Sequence, residues 1–467
     1  MTAAFLFIIA LSLVLAALSR RGHVAQKAAD FFVASGQFNT VLFFFLAVGE
    51  TYSIATILGY PGGIYAGGTG LATWFLGYIL LAFVVGYFLN PLIWKAGRVY
   101  DAVTMPDLFA RHFQSRALEL TVTIAVLLFL VPLGMQQFLG LQIVLKELQW
   151  GVPPLVLAGA AATLAFLYIL ISGIRASAYV AVLKDILLIL AIIITASAAL
   201  MHWGDAAPVG VAAQTIKPPS LSGDVFSITT ILLQCVGFCI VPQTCAYVFT
   251  ARSARAVRRA QVTMPLYMIM FPFLTLVAFF ALKHLPAIAA PNEVFPAVAR
   301  ALLPAPLMGL VMAGAALSAL VVLTGICLAI GSLVARNLVP GLGDRGQRQW
   351  SKLVMAAYLL LSVAGAATSS QLLTSINNFF YFGITQSLPG ILGILFISRM
   401  RPAAIIAGML AGDITAIALY QLHVPLGGTN PGFVGLLMNL GIVFSVLYFA
   451  PGKALSPVAK MSLPGAS

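Results

Sequence analysis

Charge is what this chain has least of. Asp, Glu, Lys and Arg make up 8% of its 467 residues, and only 12 side chains are acidic. A soluble domain carries about 25% charged residues, so the chain is not an array of soluble domains. Its longest polar gaps run about twenty residues, which leaves no room for a kinase, a nucleotide-binding domain or a large extracellular module. Cysteine is scarce too. Cys235, Cys239, Cys245 and Cys327 all sit in apolar runs without metal-ligand spacing, as packing thiols do. The five histidines (His23, His112, His202, His284 and His423) are scattered at loop ends. No His/Asp/Glu cluster and no Ser/His/Asp set emerges, so neither a membrane metalloenzyme nor a hydrolase is indicated. No enzyme activity and no cofactor are expected.

What the chain does have is apolar length. Hydrophobic residues make up 61%, in runs of the roughly twenty residues a bilayer-crossing helix needs. The pattern predicts an all-α integral membrane protein of about thirteen spans, one transmembrane domain over residues 1–467. The net charge of +13 does not indicate nucleic acid, because it lies in short loops. Of the 25 Lys and Arg residues, 21 fall in one set of alternating loops, Arg20 and Arg21 among them. Lys146, Lys217, Lys283 and Arg300 fall in the other. Basic loops stay cytoplasmic, which places the N-terminus outside and the C-terminus in the cytoplasm. The first apolar segment, 1–19, has no basic region before it and reads as a retained span. All-helical spans fit an inner, cytoplasmic-type membrane, since outer membranes use barrels.

The second span, 38–66, is organised around an improbable residue. Glu50 lies near its middle with Thr51, Ser53 and Thr56, followed by Gly59, Pro61, Gly62 and Gly63. An ionisable group at that depth is costly and marks function. Hydroxyls beside helix breakers predict an interrupted helix whose freed backbone groups hold an ion or a substrate. The seventh span, 225–250, is interrupted likewise by Gly237, Pro242 and Gln243, with Thr244 and Tyr247 following. Two broken spans five apart predict inverted repeats, 38–202 and 225–398, with 1–19 and 402–450 peripheral and the binding site between the breaks.

Other polar residues fall inside spans. Gln136 and Gln137 lie in the fourth, 118–148, where a buried amide needs a partner. Asn377, Tyr381 and Thr385 are spaced by four in the eleventh, 374–398, and share a face with Gln386 following. Lys184 and Asp185 lie near the start of the sixth span, 178–202, and are expected to reach back toward the interface. Gly408 and Gly412 in the twelfth fit a close-packing face, and the neighbouring Asp413 is assigned a structural role.

Several stretches together resemble the sodium:solute symporter family. They are Asp30-Phe31-Phe32-Val33-Ala34-Ser35-Gly36, Ser53 through Gly59-Tyr60-Pro61-Gly62, and Ser172-Gly173-Ile174-Arg175-Ala176. Gly49-Glu50-Thr51-Tyr52, Pro91-Leu92-Ile93-Trp94 and Val182-Leu183-Lys184-Asp185 are nearest to that family's monocarboxylate-permease-like branch. The resemblance implies a LeuT-type 5+5 inverted-repeat core with broken second and seventh helices. It also implies symport of a small organic solute, a monocarboxylate or other organic acid, coupled to a cation in a membrane.

One departure bears on coupling. Sodium-coupled members of the family carry a Ser-Thr pair in the ninth span as sodium ligands. Counted back from Ala335-Arg336-Asn337-Leu338, those positions fall on Val321 and Val322, which offer no oxygen to a hard cation. The Asp that such members place inside the sixth span falls on Ala181. A shift of a few residues would bring Ser318 or Thr324 to the pair, so Na+ and H+ both stand as coupling ions. If the ion is a proton, Glu50 is the coupling candidate. The candidate solute contacts are Thr51, Tyr52, Ser53, Thr56, Gln137, Gln243, Tyr381 and Gln386. A sodium-coupled carrier of an amino acid or another neutral solute, and a transporter-like sensor lacking its own output domain, are the alternatives. Oligomeric state is not legible.

Overall fold

A computed structural model describes residues 1–19, 27–205, 218, 220–368 and 372–463. Arg20, Arg21, His23 and Lys217 lie outside the described residues. The described chain is helical, with one isolated bridge between Phe38 and Ala251. The first half holds α1 (Thr2–Leu18), α2 (Ala28–Val33), α3 (Thr40–Thr51), α4 (Tyr60–Gly67), α5 (Thr69–Val99), α6 (Met105–Phe113), α7 (Arg116–Lys146), α8 (Pro154–Ser172) and α9 (Ile174–Met201). The second half opens with α10 (Leu221–Ile240), α11 (Pro242–Thr250), α12 (Ala254–Thr263), α13 (Met270–His284), α14 (Val294–Leu302), α15 (Ala305–Ser332) and α16 (Asp344–Thr368). It closes with α17 (Leu373–Ile384), α18 (Leu388–Leu395), α19 (Pro402–Gln421) and α20 (Pro431–Phe449).

Among the described residues, nine helices, or ten if the bent pair α3–α4 is one span, are long and apolar enough to cross a membrane. The shorter apolar helix α1 and residues Val156–Ile171 of α8 stand beside them. The expected thirteen exceeds the number that length and composition fix. Several helices start where a short polar side chain takes up a free amide: Asn39 caps α3, Ser115 caps α7 and Ser253 caps α12. Thr104 and Asp107 close a capping box on α6.

Both breaks have local causes. Helix α3 ends at Thr51, and Tyr52 is extended. A wide turn over Ala55–Gly59 leads to α4, which carries Pro61 in its first turn, and the axis bends by 45°. In the seventh span Pro242 opens α11. A proline lacks the amide that would continue α10 and pushes the residue before it out of helical geometry. Val241 accordingly sits at φ −53°, ψ 138°.

The centre of the bundle is α15, whose most apolar window is 94% buried. Small residues let neighbours approach it closely. Gly314 faces the Leu187 backbone of α9, and Gly325 faces Glu50 of α3. Peripheral α19 and α20 meet where Gly412 and Gly435 touch backbone to backbone. Helix α9 starts four residues before the expected span, because Gly173 turns the chain at φ +58°, with Phe31 O too close for a side chain there.

The end of the bundle carrying Arg98, Arg175 and Arg252 is tied shut. Phe38 donates to Thr250 O at 2.9 Å and Arg252 donates to Phe38 O at 3.0 Å, joining the chain before α3 to the chain after α11. Trp94 Nε1 donates to Ala251 O at 2.8 Å and Arg98 donates to Gly36 O at 2.8 Å. Arg175 pairs with Asp30 at 2.9 Å.

Candidate functional site

The two breaks face one pocket. It is a narrow pocket, with a cavity volume of about 60 Å³. Of the residues expected at the site, Glu50, Thr51, Ser53, Thr56, Gln137, Gln243 and Tyr381 line it together. Each reaches it through its element's geometry. Thr51 is the last residue of α3, and its hydroxyl bonds back to Ala47 O at 2.7 Å. Ser53 sits in the break and accepts from the Ala55 amide at 3.1 Å. Gln137 lies on α7, where its amide nitrogen donates to Gln136 Oε1 at 3.2 Å. Gln243 follows Pro242 in the first turn of α11. Tyr381 can lean against α10 because Gly237 offers no side chain there.

Two expected residues lie off the pocket. The extended backbone at Tyr52 turns its ring the other way, to stack on Tyr267 at 5.6 Å, with its hydroxyl toward Met264 O. Gln386 donates to Phe382 O at 2.9 Å and accepts from Asn439 at 3.1 Å. Gln136, Thr244 and Asn377, polar residues inside spans, also line the pocket, as do Tyr78 and Phe380. The two aromatics carry no sequence signal that sets them apart from the many others in spans. Thr385 shares a helix face with Asn377 and Tyr381 but reaches toward Leu233 O instead.

The pocket is polar without being satisfied. Gln137 Oε1, Gln243 Oε1 and Asn377 Nδ2 are buried and find no hydrogen-bond partner among the described residues. Such groups are costly to leave open, and they are the donors and acceptors a solute would use. Glu50 is the one charged side chain in the lining. Neither of its carboxylate oxygens has a hydrogen-bond partner among the described residues. The carboxylate fills the space over Gly325, where any side chain would overlap it. Ser177 of α9 faces it without closing a hydrogen bond by distance and angle.

Lys184 and Asp185 are not at the interface. Both side chains are fully enclosed, paired at 2.9 Å, and Lys184 Nζ also donates to Gly49 O at 3.0 Å. Lys184 lies ten residues into α9, about 15 Å along the helix. The stem therefore runs between helices rather than along lipid, and the expected reach to the interface is corrected. The signal was present: Ser177, Ala181 and Lys184 fall at helical spacing on one face of α9. That face is small enough to admit α3, since Gly49 packs against Ala181 and Val321.

The family resemblance implies sodium ligands at the positions of Ala181, Val321 and Val322. Ala181 and Val321 meet at Gly49, and Val322 lines the pocket. None has a side-chain oxygen. Ser318 and Thr324 bond back to their own helix, at Ala315 O and Leu320 O.

A polytopic helical bundle, two broken helices and a polar pocket between them define a secondary transporter of the LeuT fold. The chain belongs to the sodium:solute symporter family, whose model matches residues 31–412. It is 26% identical over 461 residues to the uncharacterized symporter YhjB of Bacillus subtilis, covering 91% of this chain and 93% of that protein. It is 24% identical to a monocarboxylate transport permease protein of Rhizobium johnstonii, covering 89% of each. Its structure is similar to that of a Na+-coupled sialic acid symporter in a substrate-bound, outward-open state. The TM-score is 0.75 at 15% identity, over 97% of this chain and 99% of the other. Family and fold are those of cation-coupled solute symporters in a membrane, not of enzymes.

Proposed function

We propose that the protein is a proton-coupled symporter of small monocarboxylates, working by alternating access. The observation that carries this is Glu50: an unpartnered carboxylate facing a pocket whose other polar groups are all neutral. With Lys184 and Asp185 cancelling each other, the proton on Glu50 decides whether this region is neutral or carries one negative charge. When Glu50 is neutral, an anionic solute enters and is held by donors such as the unpartnered Asn377 Nδ2, the Gln243 amide and the Tyr381 hydroxyl, with Thr51 and Gln137 joining once they exchange their bonds within the protein. When Glu50 is ionised, the solute is repelled at short range. Proton and carboxylate therefore move together or not at all. The name of the Rhizobium relative supports the solute class. The inverted repeats, 38–202 and 225–398, supply the two halves that rock about the site. The basic end faces the cytoplasm of an inner membrane.

The test is uptake by proteoliposomes of labelled acetate, pyruvate, lactate and proline, each under a pH gradient and under a Na+ gradient. Accumulation of pyruvate or lactate driven by the pH gradient is expected. Proline uptake driven by Na+ would instead establish the neutral-solute alternative. No gradient-driven uptake of any solute would leave a sensor.

A further inference from the structure

Where α3 breaks, the chain builds a place for a cation. Gly49 O lies in the last turn of α3, one residue past Val48 O, which still accepts the Tyr52 amide at 3.0 Å, and it sits at the negative end of the helix dipole. Glu50 follows it in sequence, and Asp185 reaches the same region from α9. Two carboxylates and a freed carbonyl at mid-membrane need positive charge close by. Neither α15 (Ala305–Ser332) nor α1 (Thr2–Leu18), both packed on α9, contributes a charged residue. On α13 the charged positions, Lys283 and His284, stand at its far end. The positive charge comes from Lys184, whose ammonium is 3.0 Å from Gly49 O and 2.9 Å from Asp185 Oδ1 and is fully buried.

We propose that Lys184 is a resident cation of the transport cycle: its ammonium holds the end of the broken helix α3 in the way a bound metal ion would, so the carrier takes up no sodium there. A mobile ion would bind, stabilise the break and leave in each cycle. Lys184 is tethered, so the break is held at all times and sodium concentration does not enter the cycle. Ala181 and Val321, packed against Gly49, carry no side-chain oxygen. Asp185 neutralises the lysine and fixes its direction. The assignment deepens the proposed symport, in which the proton on Glu50 is the coupling species.

Two measurements on the full-length protein test it separately from that reading. The first is the melting temperature of the purified carrier in NaCl and in KCl at equal ionic strength, which needs no knowledge of the solute. Equal values, within about 1 °C, are expected. A bound ion stabilises the state it binds, so a rise of about 3 °C or more specific to Na+ overturns the proposal. The second is pyruvate exchange in proteoliposomes free of Na+. Wild type is expected to exchange at the same rate with and without Na+, and a saturable Na+ requirement overturns the proposal. Replacing both charges, Lys184→Met with Asp185→Leu, removes the pair without stranding either partner, a change that buried ion pairs tolerate in stability. The double variant is expected to fold with an unchanged elution profile and to lose most of its exchange. Exchange at the wild-type rate overturns the proposal. If wild type exchanges no monocarboxylate at all, the solute reading fails, and the melting comparison still decides on Lys184.

Discussion

Glu50→Gln separates coupling from binding. The substitution keeps the shape of the side chain over Gly325 and removes the proton site. One carboxyl faces the pocket, so the proposed coupling is one proton per solute. A monocarboxylate crossing with one proton carries no net charge. Its accumulation ratio then equals the proton ratio, about tenfold per pH unit, which is about 1.4 kcal/mol of driving force. Two pH units therefore sustain about a hundredfold accumulation of pyruvate in wild-type proteoliposomes, and a potassium diffusion potential adds nothing. In Glu50→Gln the pocket stays permanently neutral. Exchange of labelled for unlabelled pyruvate continues, while accumulation falls to about the external concentration whatever the pH gradient. Pyruvate suits the assay because its neutral form is scarce at the pH used and leaks little. A Glu50→Gln protein that still concentrates pyruvate, or a wild type whose accumulation follows the membrane potential, would refute the reasoning.

Three further outcomes are expected. Gly325→Ala places a methyl group where the Glu50 carboxylate lies; the overpacking costs roughly 1–3 kcal/mol, read as a lower melting temperature with reduced exchange. Combined with Glu50→Gln it is non-additive, because the two changes share one contact. Asp107→Asn weakens a carboxylate that accepts from the Val103 amide at 2.9 Å, Asn337 at 2.8 Å and Arg336 at 2.6 Å. Destabilisation of roughly 1.5–3 kcal/mol is expected by thermal melting, with the carrier still able to bind solute. His112, buried on α6 with Tyr100 OH 2.7 Å from its Nδ1, is lowered by burial from 6.5 to about 4. The folded protein therefore holds it neutral, whereas the unfolded chain binds a proton below pH 6.5. Its contribution is complete above pH 6.5 and is lost as pH falls toward 4, roughly 2 kcal/mol by pH 5. Melting temperatures at pH 7 and pH 5 should differ less in His112→Gln than in wild type.

The membrane class and both broken helices were legible because they rest on local chemistry. Apolar length predicts spans, and Pro61 with its neighbouring glycines and Pro242 beside polar residues mark the interruptions, whereas Pro91 and Pro132 sit inside continuous helices. The gathering of Thr51, Thr56, Gln137, Gln243 and Tyr381 in one pocket follows from the same breaks. What was not legible depends on direction and on tertiary neighbours. Tyr52 sits beside pocket residues in sequence, yet one extended residue turns its ring to the far side. Lys184 was expected at the interface because a lysine near a span end usually extends along lipid. The turn at Gly173 sets the helix start earlier, and the small face at Ser177 and Ala181 draws α3 against the lysine. Gly325 reads as one more small residue in α15 until the Glu50 carboxylate is placed over it.

With the proposed proton coupling, the bridge between Phe38 and Ala251 bears on how much of the gradient an idle carrier wastes. Its two hydrogen bonds are made by backbone, so substitution of side chains leaves their donors in place unless proline is introduced. Each contributes about 0.5–1.5 kcal/mol, and the Trp94 and Arg98 bonds to the same strip of chain add to them. A gap of a few kcal/mol keeps a minor state at roughly 0.1–10%. An empty, protonated carrier thus seldom opens at its basic end, and dissipative proton slip is held low by the main chain itself.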